Sequence, residues 1–276
     1  MKKRTHNRRG GGHRASRGPA AAPGHALLYG RQPVRELLIA GRRTVSRIML
    51  AETNRPSAET EAIIQLTQAA GITLDVCRRD ELEAMLGDVN HQGVVAEAGP
   101  YPYFDLHALE AALADETDPL ILVLDHLEDP QNTGSLLRTA EAAGVAGVLM
   151  PSRRACPVTP AVVRASAGAS EHLRIAQVPN IVQAMLRLRE VGFWFSGLER
   201  GPDAKDLQSI DVDGPLGIVI GSEGDGLKRL TRETCDFLIE LPMRGRIDSL
   251  NAGVAGAIAL YTVLQRRMGA GEGARG

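Results

Sequence analysis

Apolar positions along this chain fall into two regimes. From about His25 to Ala98 they are short and alternate with polar stretches. "LYGRQPVRELLIAG" reads as a short helix with Val34, Leu37 and Leu38 facing inward, and "VSRIMLAE" as a strand. "SAETEAIIQLTQAAG" has the spacing of an amphipathic helix, closed by Gly71, a common C-terminal stop. "ITLDVC", "RDELEAML" and "QGVVAEA" follow as strand, helix and strand. Such alternation predicts a small α/β/α sandwich. From Asp118 to Met268 the apolar runs are instead continuous: "LILVLD" (120–125), "VAGVLM" (145–150), "GFWFSG" (192–197), "LGIVIG" (216–221) and "DFLIEL" (236–241). Unbroken runs of this length belong to strands buried on both faces, so a parallel sheet covered by helices is expected. The helices are predicted at 132–143, 159–168, 179–191 and 250–267. Residues 99–117 open with "GPYPYF", the composition of an extended linker, and continue into a helix that either neighbour could take. The expected layout is an arm over 1–24, a first unit over 25–98, a linker over 99–117, a second unit over 118–268 and a flexible tail over 269–276.

Charge changes this picture at one end. The formal net charge is −1, but the first 25 residues carry Lys2, Lys3, Arg4, Arg8, Arg9, Arg14 and Arg17 and no acid. The remainder stands at about −8. The basic segment lacks the long apolar core of a secretory signal and cannot bury enough surface to fold alone. It suits phosphate backbones as an electrostatic arm; a solubilising tail or a start site placed too early remain alternatives. Three cysteines, Cys77, Cys156 and Cys235, stand far apart without a CxxC pair. That spacing fits a reducing cytoplasm and offers no zinc site. No stretch approaches the roughly 20 apolar residues needed to span a bilayer.

In open α/β sheets ligands gather beyond the carboxyl ends of the strands. The strand at 120–125 delivers "DHLEDPQNTGSLLR", 192–197 delivers "GLERG", 216–221 delivers "GSEGDGL", and 236–241 delivers "PMRGRIDSLNAG". Gly221, Gly224 and Gly226 permit close approach of backbone to a ligand or, alternatively, a tight turn capping a helix. The loop is not a Walker phosphate loop, since Leu227 separates Gly226 from Lys228, and the GxGxxG dinucleotide fingerprint is absent. Ser249 stands where an N-cap belongs. Asn251, just inside the predicted helix, is a poor interior helix residue and needs another explanation. In that helix 250, 254, 257, 258, 261 and 264 form an apolar stripe, while Ala252, Gly256, Ala259 and Val263 form a second face small enough for close approach by another element, with a second subunit as the expected one. Arg138 points away from Leu136, Leu137, Ala140 and Ala143, on a solvated face or toward the strand end.

Together "DPQNTGSLLRTAEAAGV", "IVIGSEGDGL" and "LPMRGRIDSLNAGVAGAIALY" resemble, in order and spacing, the three motifs of the SpoU/TrmH branch of the SPOUT RNA 2′-O-ribose methyltransferases, over nearly all of 118–268. "YGRQPV" and "HQGVVA" resemble the ends of that family's substrate-binding domain, a fold similar to ribosomal protein L30e. The two-domain layout is typical of 23S rRNA guanosine-2′-O-methyltransferases; the basic arm is outside the common pattern. The resemblance implies an α/β chain with an L30e-like N-terminal domain and a trefoil-knotted, mostly parallel methyltransferase domain. It further implies a homodimer through the knot, S-adenosyl-L-methionine as methyl donor, ribosomal RNA as partner, and a cytoplasmic location. Neither metal nor membrane is implied. Carried over by motif, Arg138 meets the target nucleotide and assists proton removal, while Asn132, Glu223, Ser249 and Asn251 shape the site. Gly197, Leu198, Gly221, Leu241 and Leu250 line the donor pocket. Arg31, Arg35, His91 and the arm are candidate RNA contacts, His91 alternatively ordering its own turn. Rival readings are a tRNA 2′-O-methyltransferase, a non-catalytic RNA-binding protein on the same fold, and a nicotinamide-dependent dehydrogenase, the last disfavoured by the missing fingerprint.

Overall fold

A computed structural model describes residues 24–52, 56–246 and 249–273. The basic arm therefore lies outside the described residues, as do Ile247 and Asp248 of the third motif.

The first sheet has four strands, β1 (Ala26–Tyr29), β2 (Val45–Ala51), β3 (Thr73–Cys77) and β4 (Val94–Ala98), in the order β1-β4-β2-β3. β4 runs antiparallel to both β1 and β2, and β2 runs parallel to β3. Helices α1 (Arg31–Ala40) and α2 (Ala58–Ala69) cover one face and α3 (Arg79–Leu86) the other. The pleat sorts the side chains of β2 accordingly: Ile48 and Leu50 pack with Val34, Leu37 and Ile63, while Met49 packs with Leu82 and Val95. Local chemistry sets the helix ends. Ser57 Oγ accepts the Thr60 N–H to cap α2, and Gly41 at φ 60° ends α1 by donating its N–H to the Leu37 carbonyl. β1 takes in Leu28 and Tyr29, which the sequence pattern assigns to the first helix; Gly30 at φ 98° turns the chain before α1 begins at Arg31.

The second sheet has seven strands, all joined in parallel: β5 (Leu120–Asp125), β6 (Gly147–Pro151), β7 (Ile175–Val178), β8 (Trp194–Leu198), β9 (Ala204–Asp206), β10 (Leu216–Gly221) and β11 (Phe237–Glu240). Their order is β7-β6-β5-β10-β8-β11-β9. The expected parallel sheet is present, with β7 and β9 added. Both are short, and β9 is polar, so neither forms an apolar run. Burial on both faces accounts for the unbroken runs: Leu122, Leu124, Ile218 and Ile220 join one core, and Ile121, Val123 and Val219 join another. The helices are α4 (Leu106–Leu113), α5 (Pro130–Ala142), α6 (Pro160–Ala165), α7 (Ile181–Glu190), α8 (Arg229–Thr234) and α9 (Ala252–Gly273). α4 packs its buried Leu109 and Leu113 with the second sheet, and Phe104 bridges to Ala176, so the helix after "GPYPYF" joins that neighbour. α9 continues to Gly273, past the predicted end at 267.

The two halves are joined by a buried polar contact. Arg43 grips Glu171 with two hydrogen bonds, Nε at 2.9 Å and Nη2 at 2.7 Å, and the two side chains are 2 % and 1 % exposed. Arg42 beside it donates to the carbonyls of Glu171, Leu173 and Pro102, and Tyr101 donates to the Ser170 carbonyl. Burial raises the Glu171 carboxyl above its ordinary value, with Arg43 opposing that rise.

Candidate active site

Strands β10, β8 and β11 are neighbours in the sheet, so their carboxyl ends open side by side. What leaves them closes around a cavity of about 650 Å³. Its wall includes Leu198 and Glu199 from β8, Gly221 and the loop 222–226 from β10, Glu240, Leu241 and Met243 from β11, and Ser249, Leu250 and Asn251 before α9. Of the sequence-predicted pocket residues, Leu198, Gly221, Leu241 and Leu250 line it, and so do Glu223, Ser249 and Asn251. Gly197 does not. A Cβ on it would point at Leu227, Cys235 and Leu238, since successive strand residues face opposite sides and Leu198 takes the cavity side. Behind it, burial pushes the Cys235 thiol up to about 12.

The loop after β10 is tight. Ser222 and Gly226 exchange backbone hydrogen bonds of 3.1 Å, with Gly224 and Gly226 at positive φ. Gly221 is there because the loop folds back over it: a Cβ would stand 2.3 Å from the Gly226 carbonyl carbon. The tight-turn reading of these glycines therefore holds, and all three also line the cavity. Glu199 clamps the loop from β8, one carboxyl oxygen accepting the Leu227 N–H at 3.1 Å and the other accepting Arg232 Nε at 2.8 Å. Sequence reasoning missed Glu199; its position just past a strand end was the available signal.

Asn251 ties the site together. Its Nδ2 donates to Asn132 Oδ1 at 2.8 Å and to Glu223 Oε1 at 2.6 Å, while its Oδ1 accepts the Val254 N–H at 3.1 Å. Both donors and the acceptor of the amide are used, which fixes its orientation. The third bond is an N-cap, so α9 begins at Ala252 with Asn251 as its cap, and Ser249 is not the cap. Asn132 reaches Asn251 because Asp129 caps α5, accepting the Asn132 N–H at 2.7 Å, and because Pro130 sets the first turn. α5 and α9 touch closely at Gly253, where a Cβ would lie 2.6 Å from Ser135 Oγ.

That contact reverses an expectation about α9. Of its small face, Gly256, Ala259 and Val263 are buried and Ala252 is half-buried; together with Gly253 this face packs inward on α5 and β10 and is not left for another subunit. The larger stripe is the uncovered one: Leu250, Val254, Ile258 and Tyr261 are each 41–48 % exposed. The inversion is physical, since α9 must pass close to α5 for Asn251 to reach Asn132.

The remaining candidates lie elsewhere. Asn132 lines a second cavity that shares Ser222, Glu223 and Asp225 with the first. Arg138 is exposed on α5, lines neither cavity, and makes no hydrogen bond or ion pair among the described residues. His91 is 1 % exposed and its Nδ1 accepts the Gly93 N–H at 3.1 Å, so it orders its own turn and is no surface RNA contact. Arg31 and Arg35 pair with Glu59 and Glu36 on the first domain. Among the described residues no group of three His, Cys, Asp or Glu could hold a metal, and no helix is long and apolar enough to cross a membrane.

A family model described as SpoU rRNA methylase matches residues 119–261, the second sheet and its helices. The chain belongs to the SpoU/TrmH family of RNA methyltransferases. A second model, RNA 2′-O ribose methyltransferase substrate binding, matches residues 27–104, so the first sheet is the family's substrate-binding domain. YacO of Bacillus subtilis (strain 168), assigned to the TrmH family of tRNA/rRNA methyltransferases, is 39 % identical over 90 % of this chain and 98 % of its own. Among solved structures, the SpoU methyltransferase AviRb from Streptomyces viridochromogenes superposes with a TM-score of 0.76 at 26 % identity, covering 90 % of this chain and 91 % of that one. AviRb has also been solved in complex with AdoMet, and that structure matches with a TM-score of 0.74. The three SpoU/TrmH motifs lie on α5, on β10 with its loop, and, among the described residues, on Leu241 to Arg246 and Ser249 through α9, and residues of all three line the cavities.

Proposed function

We propose that this SpoU/TrmH chain transfers a methyl group from S-adenosyl-L-methionine to the ribose 2′-hydroxyl of a guanosine in 23S ribosomal RNA, acting as a homodimer. The observation that carries the reading is the Asn132–Asn251–Glu223 network at the rim of the 650 Å³ cavity. It joins three segments remote in sequence at the wall that the two cavities share.

The cavity suits the donor on its own chemistry. Gly221, Leu241 and Leu250 line it, as befits a ligand held along its adenosine rather than by phosphates. Four carboxylate residues, Glu199, Glu223, Asp225 and Glu240, stand on its lining against one arginine, Arg200, an excess that favours a cationic ligand. When bound, S-adenosylmethionine supplies a methyl group on a positively charged sulfur, a good leaving group that needs no acid. The protein's task is then the nucleophile, a weak one at neutral pH. Holding it in line contributes on the order of 7–11 kcal/mol in favourable cases. A guanidinium is a poor proton acceptor, so the role of Arg138 is to stabilise developing negative charge on the ribose oxygen and to anchor a neighbouring phosphate.

Arg138 lies outside its own chain's cavities, on α5, a helix that packs against α9, whose apolar stripe Leu250, Val254, Ile258 and Tyr261 is uncovered. In this reading a twofold dimer closes over that stripe, Arg138 of the partner subunit completes the cavity, and the chain takes the trefoil course implied by the motifs. The two-domain layout supports a 23S guanosine over a tRNA target, with the basic arm adding salt-dependent affinity.

The test is Arg138→Ala. Turnover on ribosomal RNA is expected to vanish while calorimetric affinity for S-adenosylmethionine stays within a few-fold; absence of donor binding by the unmodified protein would overturn the enzyme reading in favour of a non-catalytic RNA binder. Mapping 2′-O-methyl marks in ribosomal and transfer RNA with and without the gene decides between the two substrates.

A further inference from the structure

The second cavity has no role in the reading above beyond its contact with Asn132. It measures about 430 Å³, within the range of roughly 300–1,000 Å³ usual for small-molecule pockets. Three turns form it: the β5–α5 turn with His126, Glu128 and Asp129, the turn after β6 with Arg154, and the β10–α8 loop with Asp225 and Lys228.

Its backbone is strained where it faces the cavity. Among the described residues four that are not glycine have positive φ, and two of them, His126 at 62° and Arg154 at 54°, line this pocket. Such conformations persist where the surroundings over-determine them, and they cluster at ligand sites. His126 is held by Asp125, which is fully buried: one carboxyl oxygen meets His126 Nδ1 at 2.6 Å and the other accepts the Lys228 N–H at 2.7 Å.

Most of the charge around the pocket is already committed. Asp129 caps α5, Asp225 pairs with Lys228 at 2.9 Å, and Glu223 holds Asn251. Two groups are left over. Arg154 and Glu128 make no hydrogen bond or ion pair among the described residues. Glu128 acts on Lys228 only through its charge, so its carboxylate and the Arg154 guanidinium can both still bond a ligand that offers an anion and N–H or O–H donors. A nucleotide has both, whereas a simple anion would meet Glu128 as a repulsive neighbour.

We propose that this second cavity seats the target nucleotide of the RNA, with Arg154 holding a phosphate of its backbone and Glu128 accepting from its sugar or base. The proposal rests on the methyl-transfer reading. The two cavities meet at the lining residues they share, Ser222, Glu223 and Asp225, so a nucleotide in the second would lie beside the donor in the first, and Asn132 and Asn251 bond to each other at that junction.

The experiment uses the full chain with an unmodified 23S ribosomal RNA transcript and, in parallel, a pool of unmodified tRNA transcripts. Methylation, RNA binding across a potassium chloride series, and calorimetric donor affinity are all measured. Arg154→Ala is expected to raise KM for the accepted RNA at least tenfold and leave the donor Kd within twofold. It should also reduce the slope of log affinity against log salt by about 0.7–0.9, the loss of one phosphate contact. Arg154→Lys should restore the slope, because it restores the charge. Glu128→Gln should weaken RNA binding with the slope unchanged. A structural role for Arg154 would lower the melting temperature without moving the slope. Wild-type methylation together with an Arg154→Ala variant of unchanged KM and slope overturns the seat proposal alone. A wild-type chain that binds no donor and methylates neither RNA overturns the methyl-transfer reading, and the seat with it.

Discussion

Asn251 shows how much can depend on one amide. It caps a long helix and, with its two N–H groups, holds Asn132 and Glu223 in place at the cavity rim. The two duties separate by substitution. Asn251→Asp keeps an oxygen for the cap but has no donor, and it places a second carboxylate beside Glu223. Its melting temperature should therefore stay near that of the parent, while donor affinity and turnover fall by at least tenfold. Asn251→Ala should lose the site and, in addition, about 1 kcal/mol of stability from the missing cap. Denaturation curves and donor calorimetry on the two variants read the difference; equal activity in Asn251→Asp and the parent would remove the network from the mechanism.

At the scale of elements, α9 is the informative case. Periodicity in the sequence identifies two faces on this helix but not which face turns inward, because apolar residues lie all round it. The decision is made by distance. Gly253 and Gly256 let α9 lie against α5 and β10, and a Cβ at Gly256 would stand 2.5 Å from Leu136 Cδ2 and 3.2 Å from Ile220. Gly256→Leu should overpack this contact and cost about 1–3 kcal/mol. Ile258→Asp, on the opposite stripe, should leave the fold intact and convert a dimer to monomers in sedimentation; a monomeric parent would refute the dimer. The parallel sheet was legible because strands buried on both faces write continuous apolar runs. β1 was not, because its apolar residues run straight into the pattern of α1; β7 and β9 were not, because polar residues interrupt them; and α8 was hidden by its charged sequence. The site was legible only as far as strand exits and motif resemblance reach. Gly197 was placed one residue out of phase with the cavity, and Glu199 was overlooked beside it.

For the molecule as a whole, the contact between the two sheets governs behaviour. Arg43 and Glu171 are both buried, so removing one leaves the other charge without compensation. Glu171→Ala should destabilise the protein by about 3–5 kcal/mol, whereas an Arg43→Met, Glu171→Leu double variant should recover much of that loss. Chemical denaturation checks the magnitudes. Limited proteolysis between Gly99 and Phe104 should accelerate in the single variant and not in the parent.

The firmness of that junction has a consequence for the RNA. Arg42 spans it as well, donating to three carbonyls, so the substrate-binding domain is fastened in one pose relative to the cavities. Such an arrangement works as a caliper: the distance from the RNA feature gripped at one jaw to the ribose presented at the other is set before any encounter. Inserting a single base pair between those two points of a good substrate should spoil it, even with every nucleotide at either point unchanged.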